Sequence, residues 1–380
     1  MTVGAGVTAD RLAVLRLTLS DFRCYERVRL ETDCRPVVLT GPNGAGKTNL
    51  LEALSFLTPG RGMRRATLSE VARHAAGPGA PWAVAVVLQG PAGRVEVGTG
   101  VEPGSERRSV RIEGQPAKPG DLSALVSALW LTPAMDRLFI EGAGGRRRFL
   151  DRLAFGLEAG HARQAGAYEH AMRERTRVLK AGGGDADWVT ALEDAMARHG
   201  VAVAAARRRT VAALDEACRQ GIGPFPAARL KLSGEVEDWL ADDADAAEDR
   251  MRKTLRLARA RDETAGTATF GPHRSDLAVR HAGKDMPAGQ CSTGEQKAVL
   301  VAIVLAQARV RTARCGTAPL LLLDEVAAHL DAVRRDALFD ELCALGAQSW
   351  LTGTDEQSFG GFGDRAQFFR VAEASVHPAV

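Results

Sequence analysis

The stretch Val37-Val38-Leu39-Thr40-Gly41-Pro42-Asn43-Gly44-Ala45-Gly46-Lys47-Thr48 combines residue types that can hold a polyphosphate, because an apolar strand runs directly into G-x-x-x-x-G-K-T. Gly41, Gly44 and Gly46 allow the backbone to curl with its N–H groups pointing inward. Lys47 supplies a cation for β and γ phosphates, and Thr48 a hydroxyl for Mg²⁺. The helix expected through Asn49-Leu50-Leu51-Glu52-Ala53-Leu54 aims its positive end at the same anion. A glycine-rich turn before an ordinary helix would use similar letters, but the strand before it and the helix after it are the context a phosphate loop requires.

Such a loop needs a carboxylate partner, and the chain supplies one far away. Pro319-Leu320-Leu321-Leu322-Leu323-Asp324-Glu325 reads as a fully buried parallel strand ending in two acids. Asp324 is placed to hold Mg²⁺ through water, and Glu325 to polarise a water attacking the γ-phosphate. Just before this strand lies Cys291-Ser292-Thr293-Gly294-Glu295-Gln296-Lys297, followed by the apolar helical run Ala298–Ala306. Ser292 offers a hydroxyl, Gly294 an unobstructed N–H, and the helix start adds its dipole, so this is a second candidate γ-phosphate site. In isolation S-x-G-E-Q is an ordinary helix cap. Its place ahead of the Asp324-Glu325 strand argues for more.

These residues must be positioned by two kinds of structure. From about Leu15 to Leu131, short β-type runs such as Val14–Leu19, Trp82–Leu88, Arg94–Gly98 and Val110–Gly114 alternate with turns. From about Pro133 to Arg261 the pattern is helical: Leu192, Met196, Val203 and Leu214 share one face at 3.6 residues per turn, and the break Ala181–Asp185 separates two helices. The run Glu235–Asp243 reads as a solvated acidic surface or helix edge. The 380 residues can bury a large core in two lobes, with 45% hydrophobic and 5% aromatic residues. A net charge of +3 means that any nucleic-acid surface must come from local clusters. Candidates are Arg61, Arg64 and Arg65; Arg146, Arg147 and Arg148; Arg173, Arg175 and Arg177; and Arg207, Arg208 and Arg209. Pairing with Glu169 or Glu174 along the helix is the alternative. The two tyrosines and five tryptophans are dispersed and form no evident base-stacking platform. Six cysteines without a C-x-x-C pair read as scattered reduced thiols. Met1–Asp10 reads as a frayed tail without the marks of a secretion signal, and no apolar stretch approaches a membrane span.

The order of phosphate loop, long excursion, S-x-G-[EQ]-Q, apolar strand with Asp-Glu, then His329-Leu330-Asp331 resembles the ATP-binding cassette ATPases. Leu17-Thr18-Leu19-Ser20-Asp21-Phe22-Arg23-Cys24-Tyr25, Arg146-Arg147-Arg148-Phe149-Leu150-Asp151 and Phe270-Gly271-Pro272-His273-Arg274-Ser275-Asp276 narrow this. They resemble the RecF family of recombination and gap-repair ATPases, related to SMC proteins, with G-P-H-R-x-D the most specific element. The resemblance spans about Leu15 to Phe369.

The resemblance implies an α/β fold: a P-loop ATPase head with a mixed sheet and flanking helices at 11–132 and 266–380, and a smaller helical arm at 133–265. It implies ATP and Mg²⁺ as cofactors and a slow ATPase, with Lys47, Asp324 and Glu325 catalytic and Thr48 and Asp324 on the metal. Gly41, Pro42, Asn43, Gly44, Ala45, Gly46, Lys47, Thr48, Asn49, Ser292, Gly294, Glu295, Gln296 and Asp331 would contact nucleotide. It further implies a cytoplasmic protein that dimerises on ATP and clamps double-stranded and gapped DNA at single-strand/double-strand junctions. The implied partners are of the RecO and RecR kind, with help in loading the recombinase RecA. The family pattern sets His273 and Arg274 beside the nucleotide, while a core hydrogen-bonding histidine remains the plainer alternative.

Several positions depart from the family pattern. The signature reads Ser-Thr-Gly-Glu-Gln-Lys where RecF proteins more often have Ser-Gln-Gly-Gln-Gln-Arg. Asp136, after Leu131-Thr132-Pro133, stands near the lobe-linking position but is displaced from it. Leu351-Thr352-Gly353-Thr354-Asp355 has no switch histidine, leaving Thr352 or Thr354 to meet the γ-phosphate. The nucleotide subunit of a membrane transporter would carry both the linking glutamine and that histidine. An architectural SMC-like protein would carry a long heptad coiled coil, and this arm is too short and glycine-broken for one. An ATPase-coupled nuclease would need a further carboxylate-rich domain.

Overall fold

The apolar runs beside the chemistry-bearing residues fold as their pattern demands. In the computed structural model, which describes residues 11–77, 79–158, 160–182, 185–240 and 243–379 and only the backbone of Asp245 and His329, Val37–Thr40 and Leu320–Leu323 are strands with every residue buried. The expected tail Met1–Asp10 lies outside the described residues, as do Gly183 and Gly184 of the glycine break and Ala241 and Asp242 of the acidic run.

Continuous aliphatic strands suit a sheet covered on both faces. Both belong to a six-stranded sheet ordered Ser375–Pro378, Gln367–Ala372, Val37–Thr40, Ser349–Gly353, Leu320–Leu323, Ala128–Leu131, in which only the first pair is antiparallel. Because Val37–Thr40, Ser349–Gly353 and Leu320–Leu323 run parallel as neighbours, the loops after them leave the sheet at one edge. That carboxyl edge is where parallel sheets bind ligands.

A second, antiparallel sheet is ordered Tyr25–Glu31, Ala13–Phe22, Trp82–Gly90, Gly93–Val101, Arg108–Ile112, Gln115–Ala117. Its strands alternate: Trp82, Val84, Val86 and Leu88 are buried, while Ala83 and Ala85 face out. The helix Lys47–Ser55 touches strands of both sheets and buries Leu50, Leu51 and Leu54. Each such side chain stabilises the fold by about 1.5–3 kcal/mol. At the helix's end Phe22, Phe56 and Trp82 pack with ring centroids 5.2–6.1 Å apart. All these elements lie in one compact unit, comprising the chain up to Asp136, Ile222–Phe225 and Leu300 onward.

The other unit, Arg137–Gly221 with Pro226–Val299, is largely helical. His161–Lys180 ends before the glycine break, and Asp185 caps the 34-residue helix Ala186–Arg219 by accepting from the Asp187 amide. Leu192, Met196, Val203 and Leu214 are all buried. Contrary to the all-helical expectation, Ala228–Ser233 is a strand, paired antiparallel with Asp276–His281. Its alternation of Ala228 and Leu230 inward with Arg229 and Lys231 outward satisfies a two-residue period. The acidic run includes the expected helix edge, Glu235–Trp239 with Glu235 and Asp238 exposed, but Glu237 is buried, accepting from Ser275 Oγ at 2.5 Å, and burial raises its pKa.

The arginine clusters supply much of this unit's interior. Arg175 is fully buried and donates to Glu193 (3.0 Å), Asp262 (2.6 Å) and the Leu255 carbonyl (2.7 Å). Arg207 grips Asp151 with two bonds of 2.8 Å and the Pro272 carbonyl with a third, and Arg146 forks onto Asp276, again at 2.8 Å. Arg147 donates to the Ser275 carbonyl, and Arg177 pairs with Glu174. Arg146, Arg175 and Arg207 are therefore structural cations rather than a phosphate-binding surface. His273 accordingly takes the core role, bonded to Tyr168 (2.6 Å) and the Ala268 carbonyl (2.8 Å), and burial lowers its pKa. Among the described residues, no helix is long and apolar enough to cross a membrane.

Candidate functional site: a phosphate loop and a separate signature helix

The loop after Thr40 turns because its glycines leave no alternative. Gly41 has φ +150°, and a Cβ there would stand 2.0 Å from the Val371 carbonyl oxygen. Gly46, at φ +111°, would meet Tyr25 Oη at 2.6 Å and Cys24 Sγ at 2.8 Å. The helix starts at Lys47. Its ammonium is buried and donates to the carbonyls of Gly41 (2.6 Å) and Pro42 (2.8 Å), so the side chain folds back over the loop. Burial lowers the Lys47 pKa, opposed by the negative charges of Glu325 and Asp324. Gly44, Pro42 and Asn43 are exposed at the loop's crest.

Thr48 and Asp324, 276 residues apart, meet: Thr48 Oγ1 donates to Asp324 Oδ1 at 2.9 Å. Thr352 Oγ1 donates to the same oxygen at 2.8 Å and accepts from the Glu325 amide at 2.9 Å. Thr352, one of the two options for the missing histidine, is thus a fully buried brace of the two acids, with its hydroxyl engaged by both. The Thr354 hydroxyl donates to its neighbour Asp355 at 3.4 Å. Glu325 adopts φ +51°, a left-handed conformation that disfavours side chains and here swings the chain sharply after the strand.

The donor set fits Mg²⁺. A threonine hydroxyl and an aspartate at one point are hard oxygen donors, and no cluster of three or more His, Cys, Asp or Glu ligands occurs among the described residues. An ion held there must complete its shell with water and phosphate oxygens, as Mg²⁺ does.

The loop helix is fixed from both ends. Arg108, with no carboxylate partner in its hydrogen bonds, donates to the carbonyls of Phe56, Thr58 and Gly60 and to Thr99 Oγ1, capping the helix's negative end; burial pulls its pKa to about 10. Within the helix, buried Glu52 receives Arg23 at 2.6 and 2.8 Å and Arg64 at 3.2 Å, and near its start Asn49 Oδ1 accepts from Arg64 at 2.8 Å. Arg108 and Glu52 carried no local signal in the sequence, since their partners lie 9 to 52 residues away. Arg64 was singled out only for its charge. Asp331 caps the helix Ala332–Ala344, accepting from the Arg334 amide at 2.9 Å.

The signature residues lie in the other unit, at the start of the helix Thr293–Cys315. Ser292 and Glu295 form a reciprocal capping box: Ser292 Oγ accepts from the Glu295 amide at 3.4 Å, and the Glu295 carboxylate accepts from the Ser292 amide at 3.1 Å. Lys284 joins Glu295 at 2.5 Å and, with the Ser292 bonds, holds its pKa down at about 2. Buried Gln296 donates to the Cys291 carbonyl at 2.8 Å. A Cβ on Gly294 would meet nothing within 4 Å.

A phosphate loop and acid-tipped strand on one parallel sheet, with an S-T-G-E-Q helix start built separately, define an ATPase head of the cassette and SMC class. The comparisons agree. The family model described as RecF/RecN/SMC N terminal domain matches residues 13–370. "DNA replication and repair protein RecF" of Caulobacter vibrioides is 52% identical over 377 residues, covering 96% of this chain and 97% of that one. The protein of the same name from Allorhizobium ampelinum is 49% identical over 374 residues, with 97% and 99% covered. The chain belongs to the RecF family. In fold it is similar to a solved structure of the recombination mediator protein RecF-ATPrS in the RecFOR pathway (TM-score 0.85, 19% identity, 98% of this chain and 100% of that one). An Smc head domain bound to the C-terminal domain of ScpA, derived from Pyrococcus furiosus, shares the fold more distantly (TM-score 0.56, 16% identity, 97% and 96% covered).

Proposed function

We propose that this protein is a slow ATPase whose ATP-bound form dimerises and clamps DNA at single-strand/double-strand junctions during replication and recombinational gap repair. The Thr48–Asp324 hydrogen bond carries the reading, because it brings the phosphate loop and the acid-tipped strand into one polar centre across 276 residues. The N–H groups of Gly44, Gly46 and Lys47 collect the phosphates, and Lys47 exchanges its two backbone carbonyls for β- and γ-phosphate oxygens. Thr48 and Asp324 would hold Mg²⁺, which would supply charge neutralisation to the phosphates. Glu325 accepts a proton from the attacking water and orients it toward the γ-phosphate.

Open space at Gly294 supports a trans role for the signature: Ser292 and Gly294 of one copy complete the nucleotide site of a second, with Asp331 contributing from the turn beside Glu325. Relatives named for DNA replication and repair, and a fold relative titled a recombination mediator in the RecFOR pathway, support DNA, RecO- and RecR-type proteins and RecA as partners, in the cytoplasm. We place the head at 11–132 with 266–380 and the DNA-facing arm at 133–265. Exposed Arg61, Arg65, Arg148 and Arg173 remain available to phosphates.

Two variants test the chemistry. Lys47→Ala lowers ATP affinity roughly a hundredfold. Glu325→Gln retains ATP but cuts turnover by about 10²–10⁴. Equilibrium binding and single-turnover hydrolysis read both, and wild-type turnover in Glu325→Gln removes Glu325 from the mechanism.

A further inference from the structure

Cys24 sits in the tight turn between the strands Ala13–Phe22 and Tyr25–Glu31, where Arg23 takes φ +55°. The turn presents the sulfur to the phosphate loop. Cys24 Sγ accepts from Asn49 Nδ2 at 3.1 Å and lies 2.8 Å from the point a Cβ on Gly46 would occupy. Tyr25, next in the chain, is 0% exposed, and its hydroxyl, 2.6 Å from the same point, has no hydrogen-bond partner among the described residues. An unpaired buried hydroxyl costs about 1–3 kcal/mol. The turn therefore holds a donor lacking an acceptor beside an accessible thiol. Of the six cysteines only Cys24 and Cys315 are exposed, and Cys315 ends the signature helix.

The geometry points to Cys24 as a thiol-modification site that closes the nucleotide loop when a low-molecular-weight disulfide exchanges onto its sulfur. The inference rests on the reading of Gly41–Thr48 as the ATP phosphate loop. In the exchange the Cys24 thiol gives its proton to solvent and the thiolate attacks one sulfur of the small disulfide. The old S–S bond breaks as the new one forms on Sγ, and the other half leaves as a thiolate that takes up a proton. The small disulfide is the oxidant, and its departing half is what is reduced.

An adduct bonded at about 2 Å from Sγ has its first atoms beside Gly46 and Asn49, at the mouth of the bay whose N–H groups face phosphate. Where the adduct is glutathione, its carboxylates repel the polyphosphate, and its bulk displaces the Asn49 amide from the sulfur. The Tyr25 hydroxyl beside the same point has no acceptor in the reduced turn among the described residues.

The test treats the reduced full chain with oxidised glutathione, maps adducts at Cys24 and Cys315 by mass spectrometry, and measures MgATP affinity before and after. Modification of Cys24 is expected to weaken ATP binding roughly tenfold or more, with recovery on adding dithiothreitol. Cys24→Ser shows one affinity before and after treatment, Cys315→Ser retains the loss, and saturating ATP slows reaction at Cys24 but not at Cys315. Unchanged affinity with Cys24 modified, an inert Cys24 beside a reactive Cys315, or no protection by ATP each overturns the proposal. If the reduced chain and untreated Cys24→Ser both fail to bind ATP, the phosphate-loop reading itself falls, an outcome distinct from binding that is indifferent to the adduct.

Discussion

The phosphate loop and the first turn of the signature helix both carry glycine and both present backbone N–H groups, yet the reasons for their glycines differ. At Gly41 and Gly46 the chain's own atoms fill the space a side chain would need, and both φ angles are positive. Gly294 is unobstructed and carries no positive φ, and its neighbours Ser292 and Glu295 already satisfy one another. The first pair is demanded by this chain. The third is not demanded by it, and under the proposed trans role its open side would receive a second copy's nucleotide.

The strongest test of this contrast is Gly41→Ala. A Cβ 2.0 Å from the Val371 carbonyl cannot be relieved by a rotamer, so the variant loses about 4 kcal/mol or more in urea unfolding. Retained stability would mean that the loop has slack the contrast denies. Next is Arg207→Met, which asks whether the signature's unit is firmly tied elsewhere. It leaves half-buried Asp151 with His161 alone and costs about 3 kcal/mol, read by the same method.

Acid probes that pair more gently. Burial alone would raise the Asp151 pKa, but His161 and Arg207 outweigh it and hold the value down at about 2, from 3.8. A depressed carboxylate stabilises the fold above its unfolded pKa, and that contribution disappears as pH falls from about 4 through 2. Thermal unfolding should show a loss of about 2 kcal/mol across this window, and Asp151→Asn should lack it.

The smallest effect has the opposite sign. Gly294→Ala gains about 0.5–1 kcal/mol in the isolated chain, because alanine is the better helix former and nothing blocks it. Light scattering should nevertheless show a smaller ATP-dependent dimer fraction. A destabilised chain would place the reason for Gly294 inside the molecule.

Residues acting through neighbours in sequence were legible: the glycines and Lys47, the leucine strand with its acids, and the apolar face from Leu192 to Leu214. Residues acting through distant partners were not. The arginine triplets look like basic patches because Asp151 lies 56 residues before Arg207, and Asp276 lies 130 after Arg146. Thr352 was noticed only as a substitute for a missing histidine, since its partner Asp324 is 28 residues upstream on the adjoining strand. Ala228–Ser233 was missed because a six-residue alternation is outweighed by helical pattern on either side. Glu237 was hidden among exposed acids, although the apolar Val236 and Trp239 beside it marked a turn of helix with an inner face.

The interleaved order of the parallel sheet has a consequence for the newborn chain. Val37–Thr40 takes its two neighbours from residues 349–353 and 367–372, and the strand carrying Asp324 comes only slightly earlier. At roughly 5–20 residues per second, a ribosome needs on the order of half a minute between making the phosphate loop and making its sheet partners. Throughout that interval an aliphatic strand has no ladder to join. Contacts of such long sequence separation fold slowly, so this centre is among the last parts of the molecule to mature, and chains released early would depend on chaperones.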